Sequence, residues 1–204
     1  MSNSATYNTL KNRSEGVYKE KGSKFICIVQ SCYSETEAKE LLKLWAKEHH
    51  HARHLCYAYR FGVDKKKFRA NDDGEPSNSA GAPILGQITA FDLSNVLIGV
   101  VRYYGGTKLG VGGLINAYRS AAKEAITAGN IVNLEVFNWV RIRFEYVDMS
   151  SVMNLLKKYK LEMVDKLFEE RCELTTNLPL TSSALIEEEL SACRTVEVES
   201  KGIY

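Results

Sequence analysis

The sequence predicts an α+β protein built of two domains, residues 1–136 and 137–204. Segments with the alternation typical of strands are interspersed with segments whose apolar residues recur at helical spacing. After residue 136 the order strand, helix, strand, strand, helix, strand fits into fewer than seventy residues. That order predicts a ferredoxin-like fold for the second domain.

The composition is that of a globular protein, with 45% hydrophobic and 25% charged residues. No stretch approaches the roughly 20 apolar residues that span a bilayer, and the first 16 residues lack the apolar core of a signal peptide. Five cysteines occur without a CxxC pair, which disfavours a disulfide framework and a zinc knuckle. We therefore expect a cytoplasmic protein with reduced thiols and no membrane partner.

The net charge is uneven along the chain. Residues 1–136 contain 18 Lys and Arg against 13 Asp and Glu, a net charge of +5. Residues 137–204 contain 9 against 12, a net charge of −3. A polyanion would meet the first domain in preference to the second, although an ordinary solvated surface accounts for the bias about as well.

The first domain is predicted to begin with two strands around a Lys-Gly turn, in "VYKEKGSKFICIVQSC", with Phe25, Cys27 and Val29 on one face. A helix follows in "SETEAKELLKLWAKEHH", where Ser34 and Glu37 form a capping box. "HLCYAYRFG" is a strand, and the basic "VDKKKFR" is the exposed tip of a hairpin.

A polar segment separates this hairpin from the rest of the domain. The thirteen residues of "NDDGEPSNSAGAP" have almost no apolar side chains, and a loop of this length in a compact domain is usually disordered or functional. "NVLIGVVRYY" is then a buried strand. "LINAYRSAAKEAITAG" is a helix that begins at Leu114 and stops at Gly129.

The second domain opens with "WVRIRFEYV", a strand that places Tyr146 on its apolar face. Residues 152–159 form a helix, and "KLEMVDKLF" and "RCELTT" are strands. Pro179 opens a further helix that runs to about Cys193, and "RTVEVES" is the last strand.

Five glycines fall within nine residues after the strand that ends in Arg-Tyr-Tyr. The segment is not a Walker A motif, because Val111 follows Gly110 where Lys is needed. It is not a dinucleotide-binding fingerprint, because Ile115 occupies the last glycine position. Glycines at a helix start let backbone N–H groups approach an anion, and they also serve left-handed turns and close packing. Both interpretations stay open.

As an anion or RNA site, this segment would contact phosphate with its cations and glycine backbone and stack a tyrosine on a base. The residues of this predicted site are Arg102, Tyr103, Tyr104, Gly105, Gly106, Lys108, Gly110, Gly112 and Gly113. A second group, expected on chain that faces the same site, consists of His54, Asp72, Asp73 and Glu75.

Three other clusters suggest chemistry less strongly. Three carboxylates in "NDDGEP" suit Mg²⁺ or Ca²⁺, but their spacing is not that of an EF-hand and Asp-Asp-Gly is a common turn. In "HHHARH", His50 and His54 are four apart, but the segment spans a helix end and a strand start. Cys56 lies near His54, yet a buried free cysteine is the common case. We expect no metal, no cofactor and no catalytic residue.

Three blocks, "ARHLCYAYRFG", "NDDGEPSNSAGAPILGQI" and "VVRYYGGTKLGVGGLINAYRSAA", resemble the signature blocks of the IMPACT family, in its bacterial YigZ-like branch. The resemblance covers about residues 10–130, and residues 137–204 are similar to the small second domain of that branch. It implies an N-terminal α/β domain like that of a small-subunit ribosomal protein and of the fourth domain of elongation factor G. It also implies a ferredoxin-like C-terminal domain.

The eukaryotic members of the family that the chain resembles regulate translation during amino-acid starvation, by binding a scaffold protein that activates a kinase. The leading hypothesis is a non-enzymatic RNA- or ribosome-associated protein linked to regulation of translation. It rests on the +5 charge of the first domain, the glycine-rich helix start, Arg102 with Tyr103 and Tyr104, and the translation-factor-like architecture that the resemblance implies. One alternative is an enzyme acting on a phosphorylated or carboxylate small molecule, with His54 or the acidic loop as acid–base groups. Another is a protein–protein adaptor whose glycines are architectural. A closed pocket between the two loops favours the enzyme, and an open basic face favours RNA binding.

Overall fold

The computed structural model describes residues 6–203, so residues 1–5 of the polar N-terminal stretch and residue 204 lie outside the described residues. The chain divides into two compact units, at residues 7–134 and 135–203, with Thr6 grouped with the second. Each unit combines helices with a sheet, so the predicted α+β class is confirmed. Within residues 6–203, no helix is both long and apolar enough to cross a bilayer.

Residues 6–135 contain seven strands and three helices. The strands are β1 (Thr6–Leu10), β2 (Ser14–Glu20), β3 (Ser23–Ser31), β4 (His54–Phe61), β5 (Lys67–Asn71), β6 (Val96–Tyr103) and β7 (Ile131–Glu135). The helices are α1 (Glu35–Glu48), α2 (Gly81–Ala90) and α3 (Gly110–Ala128). An antiparallel sheet has the order β2-β3-β6-β4-β5, and β1 pairs with β7, two strands that the sequence did not predict.

Helices cover both faces of the five-stranded sheet. On one face, α2 and α3 pack over Phe25, Cys27 and Val29, which confirms the predicted face of β3. On the other face, α1 packs through the fully buried Trp45 against Leu97 of β6 and its neighbours. A strand buried on both faces reads as a near-continuous apolar run, which explains the sequence of β6.

The start of α1 has one of the two hydrogen bonds of the predicted capping box, and the second is shifted by one residue. Ser34 Oγ accepts a hydrogen bond from the backbone N–H of Glu37 at 3.2 Å, as predicted. The Glu37 carboxylate accepts from the N–H of Tyr33 at 2.8 Å, one residue before the cap. Two backbone donors are thus satisfied, although the return bond does not reach Ser34 itself.

Helix α2 is absent from the sequence prediction, which places its first three residues in the polar loop and assigns no structure to the rest. Its N-terminal donors have no cap from their immediate neighbours. Instead, Asp72 Oδ1 accepts from the N–H groups of Ala80 at 3.0 Å and Gly81 at 2.8 Å, and Oδ2 accepts from Asn78 at 2.9 Å. The polar segment is therefore a turn folded around Asp72, and it ends where α2 begins.

Helix α3 begins at Gly110, four residues before the predicted start at Leu114. Gly112 and Gly113 lie in its first turn, where weak helix propensity makes glycine resemble loop sequence. The helix ends at Gly129 as predicted. Gly129 has φ −84°, so it is required by close packing rather than by a left-handed turn: an added Cβ would lie 2.4 Å from Leu10 Cδ1.

The second unit has the predicted ferredoxin-like order of elements. They are β8 (Phe137–Glu145), α4 (Met149–Lys158), β9 (Met163–Phe168), β10 (Arg171–Pro179), α5 (Ser183–Ser191) and β11 (Glu197–Ile203). The antiparallel sheet has the order β11-β8-β10-β9, in which the first and third of these strands are central. Apolar residues of α4 and α5 pack on the sheet to form one core.

Two details of the second unit differ from the prediction. Tyr146 does not continue β8: it lies in a 3₁₀ turn (Tyr146–Asp148), and the residue is 70% exposed. Pro179 ends β10 opposite Phe137 instead of opening a helix, and α5 begins at Ser183. A proline is tolerated at the end of a strand, because no further backbone N–H is needed there for pairing with the neighbouring strand.

Candidate anion-binding site

A cavity of about 510 Å³ lies in the first unit, where β6 ends and α3 begins. Its polar lining comes from the start of β4, the acidic loop, the end of β6 and the segment before α3. These residues are Arg53, His54, Glu75, Arg102, Tyr104 and Lys108. Gly110 and the apolar Pro76, Leu109, Val111 and Leu114 complete the lining. A volume in this range is typical of ligand pockets.

Arg102 lies at the floor of the cavity, with its side chain 9% exposed. Its Nη1 donates to Glu75 Oε1 at 2.6 Å, and the Glu75 side chain is 5% exposed. The guanidinium also lies 5.5 Å from the ring centroid of Tyr104 and 5.6 Å from that of Phe25. The register of the sheet explains this setting, because Arg102 is paired with Phe25 of β3 and His54 of β4.

A buried polar chain runs from this ion pair into the core. Tyr118 Oη donates to Glu75 Oε1 at 2.8 Å, and Cys56 Sγ lies 3.3 Å from Tyr118 Oη. Burial raises the pKa of the Cys56 thiol to about 12 and raises the pKa of the Tyr118 hydroxyl far above its ordinary value. Both groups are therefore neutral, and Cys56 is not a nucleophile at neutral pH.

The other two carboxylates of the acidic loop hold backbone in place. Asp72 caps α2; partial burial opposes its ionisation, but its backbone N–H donors lower the pKa overall. Asp73 Oδ2 accepts from the N–H of Leu55 at 2.7 Å. Neither residue lines the cavity. Among residues 6–203, no three His, Cys, Asp or Glu side chains are placed to hold a metal ion.

His54 connects the acidic loop to β4. Its Nδ1 lies 2.6 Å from the carbonyl oxygen of Asp73, and a carbonyl can only accept. The neutral imidazole therefore carries its proton on Nδ1, which leaves Nε2 as an acceptor. The half-buried ring lines the cavity.

The two neighbouring tyrosines lie on opposite sides of the sheet, as the period of a strand requires. Tyr104 lines the cavity and is 49% exposed. Tyr103 Oη lies 3.0 Å from His49 Nδ1, at the C-terminal end of α1. The structure therefore offers Tyr104, and not Tyr103, to a ligand in the cavity.

Architecture accounts for most of the glycine-rich segment. A Cβ on Gly105 would lie 1.8 Å from the carbonyl carbon of Gly22, in the β2–β3 turn. Gly106 and Gly110 have φ of +86° and +72°, in the left-handed region. Neither close packing nor a left-handed backbone requires glycine at position 112. An added Cβ there would meet no heavy atom within 4 Å outside its own turn of helix among the described residues.

The rim of the cavity is positively charged. Arg53 and Lys108 are exposed, and within residues 6–203 neither forms an ion pair. The first turn of α3 has no side-chain cap, and its first residue, Gly110, lines the cavity together with Lys108. Because Glu75 is neutralised by Arg102, the unbalanced charge at the cavity comes from the two rim cations.

Comparison with known proteins finds a family match over the part of the chain that forms the cavity. Residues 21–126 match the family model described as the Impact N-terminal domain. The chain belongs to the IMPACT family. It is 32% identical to the IMPACT family member YvyE of Bacillus subtilis over 171 residues, which cover 84% of this chain and 79% of that protein. It is 29% identical to the IMPACT family member YigZ of Escherichia coli, with 80% and 81% covered.

A solved structure shares both units. It is the crystal structure of a hypothetical protein, and it superposes with a TM-score of 0.77 at 25% identity over 98% of both chains. The resemblance to the YigZ-like branch of the IMPACT family is thus confirmed. All cavity-lining residues lie between positions 53 and 114, inside the range that matches the family model.

Sequence reasoning missed part of this site. Arg53 joins the cavity because β4 lies beside β6, and Leu109 and Val111 join it because α3 begins early. Tyr118 lies within the helix predicted from Leu114, and the sequence gives it no role in the site. Its hydroxyl was an available signal, because a buried tyrosine nearly always has a hydrogen-bond partner.

Proposed function

We propose that the protein is a non-enzymatic RNA-binding protein linked to regulation of translation, and that it binds RNA at the rim and interior of this cavity. The observation that carries the proposal is the pair of exposed, unpaired cations, Arg53 and Lys108, beside the exposed ring of Tyr104. Cations next to an exposed aromatic ring are the usual means of binding single-stranded nucleic acid.

Each part of the cavity has a role in this proposal. Arg53 and Lys108 neutralise phosphates, which releases counterions and makes binding salt-dependent. The first turn of α3 adds backbone N–H donors and the positive end of a helix dipole. Tyr104 stacks on a base, and its ring is held over the guanidinium of the buried Arg102.

The link to translation is supported by membership in the IMPACT family, because the resemblance described above connects the eukaryotic members of that family with regulation of translation. RNA binding is supported separately by the charge and aromatic content of the cavity. The two parts of the proposal therefore stand on different observations, and an RNA-binding measurement tests only the second.

An enzyme is a second candidate, favoured by one observation. Glu75 and Pro76 of the acidic loop line the same cavity as Tyr104 and Lys108, so both loops contribute to one partly open cavity. However, Glu75 is held by Arg102 and Tyr118, which leaves His54 Nε2 as the group available for acid–base chemistry. A panel of phosphorylated and carboxylate metabolites that raises the thermal unfolding temperature would favour this candidate.

The test of RNA binding compares single charge removals. Lys108→Gln and Arg53→Gln each remove one rim cation, and Lys39→Gln removes an exposed cation of α1, which packs on the opposite face of the sheet. We expect the two rim variants to weaken binding of single-stranded RNA several-fold. Each should lower the slope of log affinity against log salt by about one, while Lys39→Gln behaves as wild type.

Fluorescence anisotropy with the full chain, from about 50 to 300 mM salt, measures both quantities. Absence of RNA binding at the lowest salt contradicts the proposal. So does an equal loss of affinity in all three variants, because it would assign binding to the overall charge of the chain and not to the cavity.

A further inference from the structure

We propose, building on the proposed function, that the cavity binds a terminal nucleotide bearing a phosphomonoester, and that the protein therefore recognises an RNA end. The observations behind it are the charge balance of the cavity, its buried floor and the free donors of Arg102.

The charge balance favours a doubly charged phosphate. Glu75 and Arg102 form a buried 2.6 Å ion pair and cancel each other. Arg53 and Lys108 then leave two unbalanced positive charges at the cavity. A phosphomonoester carries about −1.5 to −2 charges at pH 7, whereas an internal phosphodiester carries one charge per linkage. The monoester thus matches the cavity more closely.

The shape favours a chain end. Arg102, Glu75 and Leu114 are all at least nine-tenths buried and close the inner side of the cavity. Tyr104 and Val111, which are 49% and 53% exposed, mark the side that is open to solvent. A nucleotide that reaches the buried inner side must turn its chain back toward the exposed side, so we expect a terminal nucleotide to fit there more readily than an internal one.

Arg102 gives the inner part of the cavity a means of holding an anion. Of its three guanidinium nitrogens, Nη1 alone has a hydrogen-bond partner among residues 6–203, and that partner is Glu75. A nine-tenths buried arginine with unused donors is uncommon, because buried donors are nearly always paired. Because Nε is fully buried, Nη2 is the donor left for a ligand. Arg102 and Gly110, at the uncapped start of α3, line the same cavity, so we expect phosphate oxygens to find partners from both.

Other residues that line the cavity are suited to a base. Pro76, Leu109 and Val111 provide apolar surface, and the Tyr104 ring provides a stacking platform. A volume of about 510 Å³ lies within the range of sites that enclose small molecules, so one nucleotide, and not several, is the unit we expect inside.

The experiment compares four RNAs of one sequence by isothermal titration calorimetry, with no label at either end. They carry a 5′-phosphate, a 3′-phosphate, both or neither. Adenosine 5′-monophosphate and adenosine form a second pair, which separates a free nucleotide from an RNA end. We expect at least a tenfold preference for a phosphorylated end over the hydroxyl ends. Lys108→Gln and Arg53→Gln should reduce that preference severalfold, and Lys39→Gln should keep it.

The outcomes separate this inference from the proposed function. Equal affinity for phosphorylated and unphosphorylated RNA, with binding still weakened by the rim variants, overturns the inference and leaves RNA binding intact. Binding of adenosine 5′-monophosphate over adenosine, without affinity for RNA, overturns both the RNA function and recognition of an RNA end, and assigns the cavity to a free nucleotide. Absence of binding by every RNA and by the nucleotide overturns both.

Discussion

At the scale of single residues, the Arg102–Glu75 ion pair holds the floor of the cavity. Both side chains are at least nine-tenths buried, and Tyr118 donates to the same Glu75 oxygen that Arg102 binds. Two charges removed from water are stable only when each has its partner. The pair therefore orients the guanidinium below Tyr104, and the acidic loop is held to the sheet by the same contact.

Glu75→Gln keeps the shape of the side chain and removes its charge. We expect it to lower the free energy of unfolding by about 3 kcal/mol, because it leaves Arg102 buried without a counterion. Arg102→Met alone should have a similar effect, and the double variant should lose less than the sum of the two. Urea unfolding measures all three changes. Additive losses would show that the two side chains do not stabilise each other.

The part of the site that could be predicted consists of residues that lie close together in the sequence. Arg102, Tyr104 and Lys108 are close in the chain, and the residue types alone indicated an anion or a base. Arg53 reaches the same cavity through the register of the sheet, and Tyr118 reaches Glu75 through the packing of α3. Those long-range relations leave no local pattern in a single sequence, so both residues were missed.

At the scale of elements, the starts of α2 and α3 depart most from the sequence prediction. The cap of α2 is Asp72, eight residues before Ala80. The sequence next to the helix therefore contains no capping motif that predicts its start. Helix α3 begins with glycine, whose propensity argues against a helix. By contrast, α1 has Ser34 as a local cap and was predicted with nearly its observed bounds.

A substitution at Gly112 tests whether the start of α3 needs glycine for the fold or for ligand binding. The backbone of Gly112 is helical, and space for a Cβ is open. Gly112→Ala should therefore stabilise the protein by roughly 0.5–1 kcal/mol, since alanine has the lower entropic cost in a helix. If a phosphate approaches this first turn, the same variant weakens RNA binding. Thermal unfolding and anisotropy measure the two effects.

Gly105→Ala is the control for that pair of measurements. A Cβ at Gly105 would lie 1.8 Å from the backbone of Gly22, so this change should destabilise the fold. Loss of stability in Gly112→Ala would mean that the glycine has a structural role that its open surroundings do not reveal. Unchanged RNA binding in a stabilised Gly112→Ala would place the phosphate elsewhere on the cavity.

At the scale of the whole molecule, each unit has carboxylates whose ionised form is stabilised by hydrogen bonds. In the first unit, backbone N–H groups lower the pKa of Asp72 despite its partial burial, and a hydrogen bond from Lys65 lowers that of Asp92. In the second unit, hydrogen bonds from the hydroxyl and backbone of Thr195 lower the pKa of Asp148. Ionisation therefore stabilises both folds.

These shifts predict a loss of stability in acid. A carboxyl with a lowered folded pKa stabilises the protein fully above its unfolded pKa, near 3.8 for Asp. That stabilisation is lost as pH falls through the lower folded value, because the unfolded chain takes up protons first. The free energy of unfolding should thus be flat above about pH 5 and fall steadily below it. Urea unfolding at a series of pH values measures the slope.

Asp72→Asn and Asp148→Asn test this account one unit at a time. Asparagine offers a carbonyl oxygen to the same donors but cannot ionise, so each variant should be less stable than wild type at pH 7 and approach it at pH 3. The slope of stability against pH should then be shallower in each variant than in wild type. A slope identical to wild type in either variant would show that its carboxylate does not couple folding to protonation, and that acid sensitivity in that unit arises from other groups.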